Sequence, residues 1–481
     1  MIRGVSSTRR EMLGQLGAAS ASTLLWALGC GPAARPTARL PTVLGEEVRA
    51  WLRDAVARLA AVDPGAHALA VTHERTAAAI DVVGAGLAQM RRDGAVLRVR
   101  GADGAWREHV TDVLTAAGID EAVRRLGGAA RATPRGFPAA PVATPAPAPV
   151  DEALLRDRAA ALLRDDARGA SRIVYAAGLV EVDDVTRWSI AATHDREERR
   201  RRVRHRATRA AWNGTRPVIA EAARGWSGDL RRAGLDAARL RATSEEALTL
   251  VTPGAFAAGV YEVELAPTVV AALIEATVAG LLTTAALRHP ALARRFAAGA
   301  ALAAPLLTLT DDPTAADSYG AIGFDDEGAA AQPVTLIEGG LLAGRLDAAA
   351  GRARRPGHLG PLAPGATHLV LAPGTSGVVG ARDGWRLEGR AHAAIAPGTT
   401  RVVIAVARAR EVRAGSLTGR VFADVELVGE VDALLGAVSA VGAEVETLVR
   451  RDEDAGGALW RSLAVPALVT RGALRARRRA A

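Results

Sequence analysis

The chain is 481 residues long, 49% hydrophobic and 23% charged, which excludes disorder of the whole chain and leaves room for two or three domains with substantial cores. Its formal net charge of +9 rests on arginine alone, since lysine does not occur, and its one cysteine, Cys30, excludes an intrachain disulfide framework. A positive balance is compatible with an anionic partner, but the enrichment in alanine, arginine and glycine reads as coding bias, with arginine standing where lysine usually does on a solvated surface.

Residues 1–30 read as a targeting segment. Thr8-Arg9-Arg10-Glu11-Met12-Leu13 resembles a twin-arginine export signal, and 16–29 is an uncharged, mostly apolar run of signal-peptide rather than membrane-span length. It ends Trp26-Ala27-Leu28-Gly29-Cys30, similar to a bacterial lipobox with Cys30 as the prospective lipidated residue. Two readings of Cys30 stand: a lipid anchor, which its position favours, or a small apolar residue near a cleavage site. The signal implies an exported, periplasmic or cell-envelope protein, and a Pro/Ala/Arg tether at 31–44 would hold a domain off the membrane.

Folded structure is expected from residue 45. The spacing of Val48, Leu52, Val56 and Leu59 predicts a helix over 46–61. Strands are predicted at 67–73 and 78–83, a strand-turn-strand at 93–106 and a helix at 111–126, together an N-terminal α+β domain over 45–130. The proline-rich stretch 131–150 reads as a linker or surface loop, and 151–252 as a continuation of the N-terminal region. Within it the pattern predicts a helix at 151–166, strands at 171–175, 178–182 and 187–193, and helices at 228–240 and 244–250. The run 195–211 carries Arg196, Arg199, Arg200, Arg201, Arg202, Arg204, Arg206 and Arg209; with no glycine-rich phosphate loop or stacking array beside it, a solvated face is favoured over a nucleic-acid or phospholipid face. From 253 to 450 glycine-punctuated strand runs, at 368–371, 385–391, 400–407 and 420–428, indicate a β-rich domain, and 451–481 reads as an arginine-rich tail.

The segment 253–345 carries a specific resemblance. Gly259-Val260-Tyr261-Glu262-Val263-Glu264-Leu265-Ala266-Pro267 runs into an apolar helix expected over 268–288 that holds Glu275. Then follow Asp311-Asp312-Pro313, Gly320-Ala321-Ile322-Gly323-Phe324-Asp325-Asp326-Glu327-Gly328 and the hairpin Leu336-Ile337-Glu338-Gly339-Gly340-Leu341-Leu342. These segments resemble the TldD/PmbA family of metallopeptidases and metallopeptidase-like partners, in particular the members that lack the zinc motif. The resemblance implies an α+β fold, an N-terminal mixed α/β domain followed by a β-rich C-terminal domain, with pairs of chains enclosing a cleft in which peptides are degraded.

In active members of that family the helix reads H-E-x-x-x-H. Two imidazoles on one side of a helix hold a zinc ion, and the glutamate acts as general base on the metal-bound water. Here the histidine positions fall on Ile274 and Ala279, only Glu275 remains, and the family's third ligand, a C-terminal cysteine, has no counterpart. None of the nine histidines forms a replacement pair at helical spacing. The resemblance therefore implies no cofactor in this chain, with zinc confined to a partner subunit: a heterodimer with a zinc-bearing homologue, or self-association, acting on a peptide substrate, with no nucleic acid.

Glu275 has two readings, a general base acting on a partner's metal, or a relic facing a polar cavity or paired with an arginine; the relic is favoured, and either needs a partner for a carboxylate in an apolar helix. Asp311, Asp312, Asp325, Asp326, Glu327 and Gly328 make up the family's shared structural motif. The carboxylates could hold a divalent cation, which would make an active metallopeptidase with other ligands. Their turn context favours bonds from side chain to backbone. A stand-alone peptide-binding lipoprotein is the third possibility.

Overall fold

The computed structural model describes residues 45–102, 106–130, 137–138, 147–164, 172–212, 217–251, 256–284, 286–347, 353–354, 363–375, 380–454 and 457–477. The export signal with Arg9 and Arg10, the prospective lipidation site Cys30, the tether and most of the linker lie outside the described residues.

Helix α1 (Glu46–Leu59) forms because Val48, Leu52, Val56 and Leu59 recur on one buried face, while Glu46 and Glu47 sit in the first turn, where the helix dipole favours negative charge. Strands β1 (His67–Asp81) and β2 (Ala85–Arg100) make a long hairpin. Its turn is fixed by the Asp81 carboxylate, which accepts from the Val83 and Gly84 amides at 2.7 and 3.0 Å. Strand β3 (Trp106–Thr111) pairs with β2. Helices α2 (Ala116–Arg125) and α3 (Glu152–Ala161) follow, capped by the side chains of Thr115 and Asp151. With β4 (Ile173–Ala191), β5 (His194–Trp212) and β6 (Pro217–Ser227) the strands form an antiparallel sheet of order β3-β2-β1-β4-β5-β6.

Side chains alternate across that sheet, and the two faces do different things. One face packs α1, α2, α3 and α4 (Ala237–Leu248) against Ala68, Ala70, Leu97, Val180, Val182 and Val203. The other carries, in register across β1, β4 and β5, Arg75 with Asp183 and Arg202, and Glu181 with Arg204. The three short strands expected between 171 and 193 are therefore one strand of nineteen residues. Glu181 and Asp183 interrupt its apolar pattern because they belong to the face turned toward the C-terminal domain. The two helices expected over 228–250 are a single one, α4, which starts only where Asp236 accepts from the Arg239 amide at 2.8 Å.

The C-terminal domain begins with β7 (Gly259–Leu265) and α5 (Pro267–Leu281), then a short α6 (Pro290–Arg295), β8 (Leu309–Asp311), and the hairpin of β9 (Val334–Glu338) and β10 (Leu341–Leu342). The two-residue strands β11 (Ala353–Arg354) and β12 (Ala363–Pro364) pair with each other. After them come β13 (His368–Leu371), β14 (Gly384–Ile395), β15 (Arg401–Arg413), β16 (Ser416–Glu430), α7 (Val431–Gly436), β17 (Ala440–Asp454) and β18 (Gly457–Ala476).

The large sheet runs β10-β9-β8-β13-β18-β16-β15-β14-β7, and β7 pairs again with β18, so β7, β14, β15, β16 and β18 close into a ring. Helix α5 packs against β14 and β18 and shares its core with them. The segment read as an arginine-rich tail is thus largely β18, a strand that pairs with β7, β13, β16 and β17. Its β-forming run 459–469 was masked by the arginines around it; Pro466 is accommodated opposite Val445, where the β17 register shifts. An N-terminal mixed α/β domain followed by a β-rich C-terminal domain is the fold class expected from the sequence.

Candidate functional site

Helix α5 has Pro267 in its first turn, where a missing N–H costs nothing, and an almost wholly apolar body. Ile274 is buried in the C-terminal core, whereas Ala279 is exposed. Glu275 lies between these environments. Its Oε2 accepts from Arg450 Nε at 3.2 Å, and Arg461 Nη1 stands 3.7 Å from Oε1. Arg461 in turn pairs with Asp452. Both arginines come from the β17–β18 hairpin, so the polar edge of α5 is tied to that hairpin by charge.

These residues do not fit a zinc ion. Isoleucine and alanine side chains carry no lone pair, and the one carboxylate present is engaged by two guanidinium groups whose positive charge would repel a divalent cation. Among the described residues no group of three or more His, Cys, Asp or Glu side chains is arranged to hold a metal.

The remaining carboxylates of the motif are engaged in folding the segment 311–330. Asp311, fully buried, accepts from the Thr367 amide and hydroxyl at 2.9 Å and from the His368 amide at 2.8 Å. Asp312 closes the turn at Pro313 by accepting from the Thr314 amide and hydroxyl at 2.9 and 2.6 Å. Asp325 accepts from the amides of Glu327 and Ala329 at 2.9 and 2.8 Å. That turn brings Gly328 to φ +77 against Ser189 and His194, where a Cβ would sit 2.2 Å from Ser189 Oγ and His194 Nε2. Asp326 pairs with Arg187, and Glu327 lies 3.6 Å from Arg98. Asp312 and Asp325 thus shape the turns and Asp311 ties the segment to Thr367 and His368, while Asp326 and Glu327 reach the N-terminal sheet.

A dense cluster of buried charge among the described residues carries no motif. On the inward face of the N-terminal sheet, Asp183 meets His73 Nε2 at 2.7 Å and accepts from Trp460 Nε1 at 3.0 Å, with Arg451 Nε 3.6 Å away. Glu181 accepts from Arg204 Nε at 2.6 Å and has Arg75 and Arg451 each at 3.6 Å. Burial opposes ionisation of both carboxylates. For Asp183 it is outweighed by Arg451 and His73, which hold its pKa well below the usual range; for Glu181 it is outweighed by Arg204 and Arg451, which lower its pKa. Tyr319 is enclosed beside them, and burial pushes its hydroxyl above the ordinary tyrosine range.

The basic run of β5 is largely consumed internally. Arg201 pairs with Asp184, Arg199 with Glu197 and Arg200 with Glu198, while Arg202 donates to the Tyr319 and Ala321 carbonyls at 3.0 and 2.8 Å. Instead of the solvated face expected, many of these arginines knit the sheet together and join it to the 311–330 segment. The only sequence signal was charge at alternate positions, Glu181-x-Asp183, His73-x-Arg75 and Arg202-x-Arg204, which places charge on one face of neighbouring strands.

Residues 258–473 match the family model described as the PmbA/TldA metallopeptidase C-terminal domain. No curated protein sequence matches. A candidate DNA-gyrase modulator from Bacteroides thetaiotaomicron superposes with a TM-score of 0.68 at 16% identity, over 91% of this chain and 100% of its own. A second candidate DNA-gyrase modulator, from Thermotoga maritima, gives 0.63 at 15% identity over 89% and 99%. TldE from Thermococcus kodakarensis gives 0.62 at 17% over 86% and 97%. At such identities these likenesses are of fold. The match over residues 258–473 makes the C-terminal domain one of the PmbA/TldD type, and the chain as a whole shares the fold of these proteins.

Proposed function

We propose that this chain is a non-catalytic, peptide-binding subunit that works in proteolysis beside a zinc-bearing homologue. The observation that carries the reading is Glu275: the residues flanking it cannot ligate a metal, and its carboxylate is taken up by Arg450 and Arg461. A subunit of this kind contributes wall and contacts to a shared cleft while its partner supplies the metal and the activated water. Arg9, Arg10 and Cys30 extend the reading to the cell envelope, with the mature chain lipid-anchored at its N-terminus.

The test is to purify the mature protein alone and together with a zinc-motif homologue from the same genome, and to measure association, bound metal and peptide cleavage. The expected result is no stoichiometric zinc and no cleavage alone, with cleavage in the pair exceeding that of the homologue by itself. Hydrolysis by the isolated chain would overturn the reading, and failure to associate would favour a stand-alone binder. Cys30→Ala should move the protein from the membrane fraction to the soluble fraction; an unchanged distribution would remove the anchor.

A further inference from the structure

Strands β17 and β18 alternate their side chains between two faces that end in two different places. In register, Arg450 opposes Arg461 and Arg451 opposes Trp460, so each pair shares a face and the two faces point in opposite directions. Leu448 and Leu463, on the first face, belong to the core that holds α5, whereas Val449, Ala458 and Trp460, on the second, pack with Val185 and Tyr319. The first face ends on Glu275. The second ends on Glu181 and Asp183, where Trp460 also meets the His73 ring edge-on at 5.1 Å and receives Arg202 over its own ring at 4.6 Å. The hairpin is a single layer between α5 and the N-terminal sheet.

We infer that this hairpin is a conformational coupler, through which the N-terminal sheet sets the position of Glu275. Arg450 and Arg451 are chain neighbours, as are Trp460 and Arg461, so a shift of Trp460 or Arg451 in its buried seat moves the backbone that carries the cations holding Glu275. Close packing on both faces leaves little slack to absorb such a shift. A ligand or subunit that displaces the inward face of β1, β4 and β5 would thereby be felt at α5, and by thermodynamic reciprocity the converse holds. The inference does not depend on a proteolytic role.

Hydrogen exchange on the full-length chain tests it. Trp460→Phe keeps an aromatic ring and deletes the indole donor to Asp183. Amides of α5 should then exchange roughly tenfold faster, the middle of the usual coupling range. Glu275→Gln, on the less buried side, should in turn speed exchange at β4 amides 180–185, and the double variant should lose less protection than the product of the two single effects. Unchanged α5 exchange in Trp460→Phe, or a Glu275→Gln effect confined to α5, would overturn the coupling. Should Trp460→Phe fail to fold, the Glu275→Gln measurement decides alone.

Discussion

Glu275 and the Glu181–Asp183 pair meet arginines from adjacent positions of one strand, but in different surroundings. Asp183 and Glu181 are 0% and 1% exposed, whereas the side chains of Glu275 and Arg450 keep 16% and 35% of their surface in solvent. In the interior, desolvation and Coulomb attraction are both large and nearly cancel, so the arrangement is safe only while every partner stays in place. At the partly exposed site water competes for the same charges, and losing one partner costs less. The carboxylate of α5 is therefore not the one on which the fold depends.

A matched pair of substitutions can break this contrast. Arg451→Met removes a cation that both Glu181 and Asp183 share, and should destabilise the chain by about 3–5 kcal/mol. Arg450→Met, one residue earlier, should cost under about 1 kcal/mol. Urea unfolding followed by tryptophan fluorescence measures both. Equal losses would show that the two faces of the hairpin do not differ as their burial implies.

Acid sharpens the contrast by separating two stages. His205 is pushed down to about 4, first by burial and then by Arg158 and Arg224, and His194 to about 4 by burial and Arg196. With folded values below the unfolded one, the unfolded chain binds more protons in between. Their stabilisation is complete above about pH 6.5 and is lost as pH falls toward 4. Asp183 and Glu181 also titrate lower when folded than when unfolded, so their contribution is present above about pH 4 and drains away below it. His205→Gln should flatten the upper stage by on the order of 1–2 kcal/mol and leave the lower one intact. A single transition below pH 4 in the native chain would mean that neither imidazole is held neutral.

The same contrast explains what could be read from the sequence. Helices α1 and α5, the β9–β10 hairpin and the α+β order of the chain were legible because apolar period, proline and glycine act locally. In the sequence, strand β4 reads as three pieces and β18 as a tail because their charged residues face protein that is distant along the chain. Glu181 finds Arg451 and Asp183 finds Trp460 across more than 260 residues, and no spacing rule reaches that far. A carboxylate in an apolar helix needs either a polar cavity or an arginine, and the sequence leaves both open for Glu275; that the partners are Arg450 and Arg461 comes from the hairpin. The aspartates of the 311–330 segment were expected to fix turns; that Asp326 would also reach Arg187 needed the sheet itself.

The smallest effect is the most discriminating for Glu275. Glu275→Gln removes the charge that holds Arg461 and weakens the bond from Arg450 Nε, a local loosening at a partly exposed site, so the change in global stability should stay below about 1 kcal/mol. In a zinc hydrolase, replacing the general base removes the proton acceptor for the attacking water and lowers turnover by roughly 100-fold or more. Should this chain and a zinc-bearing homologue cleave peptides together, Glu275→Gln should change kcat by less than about twofold, because the carboxylate is occupied by Arg450 and Arg461 instead of facing a metal-bound water. A drop in kcat with unchanged association and stability would instead mean that Glu275 leaves its arginines in the assembled pair and acts on the partner's metal-bound water.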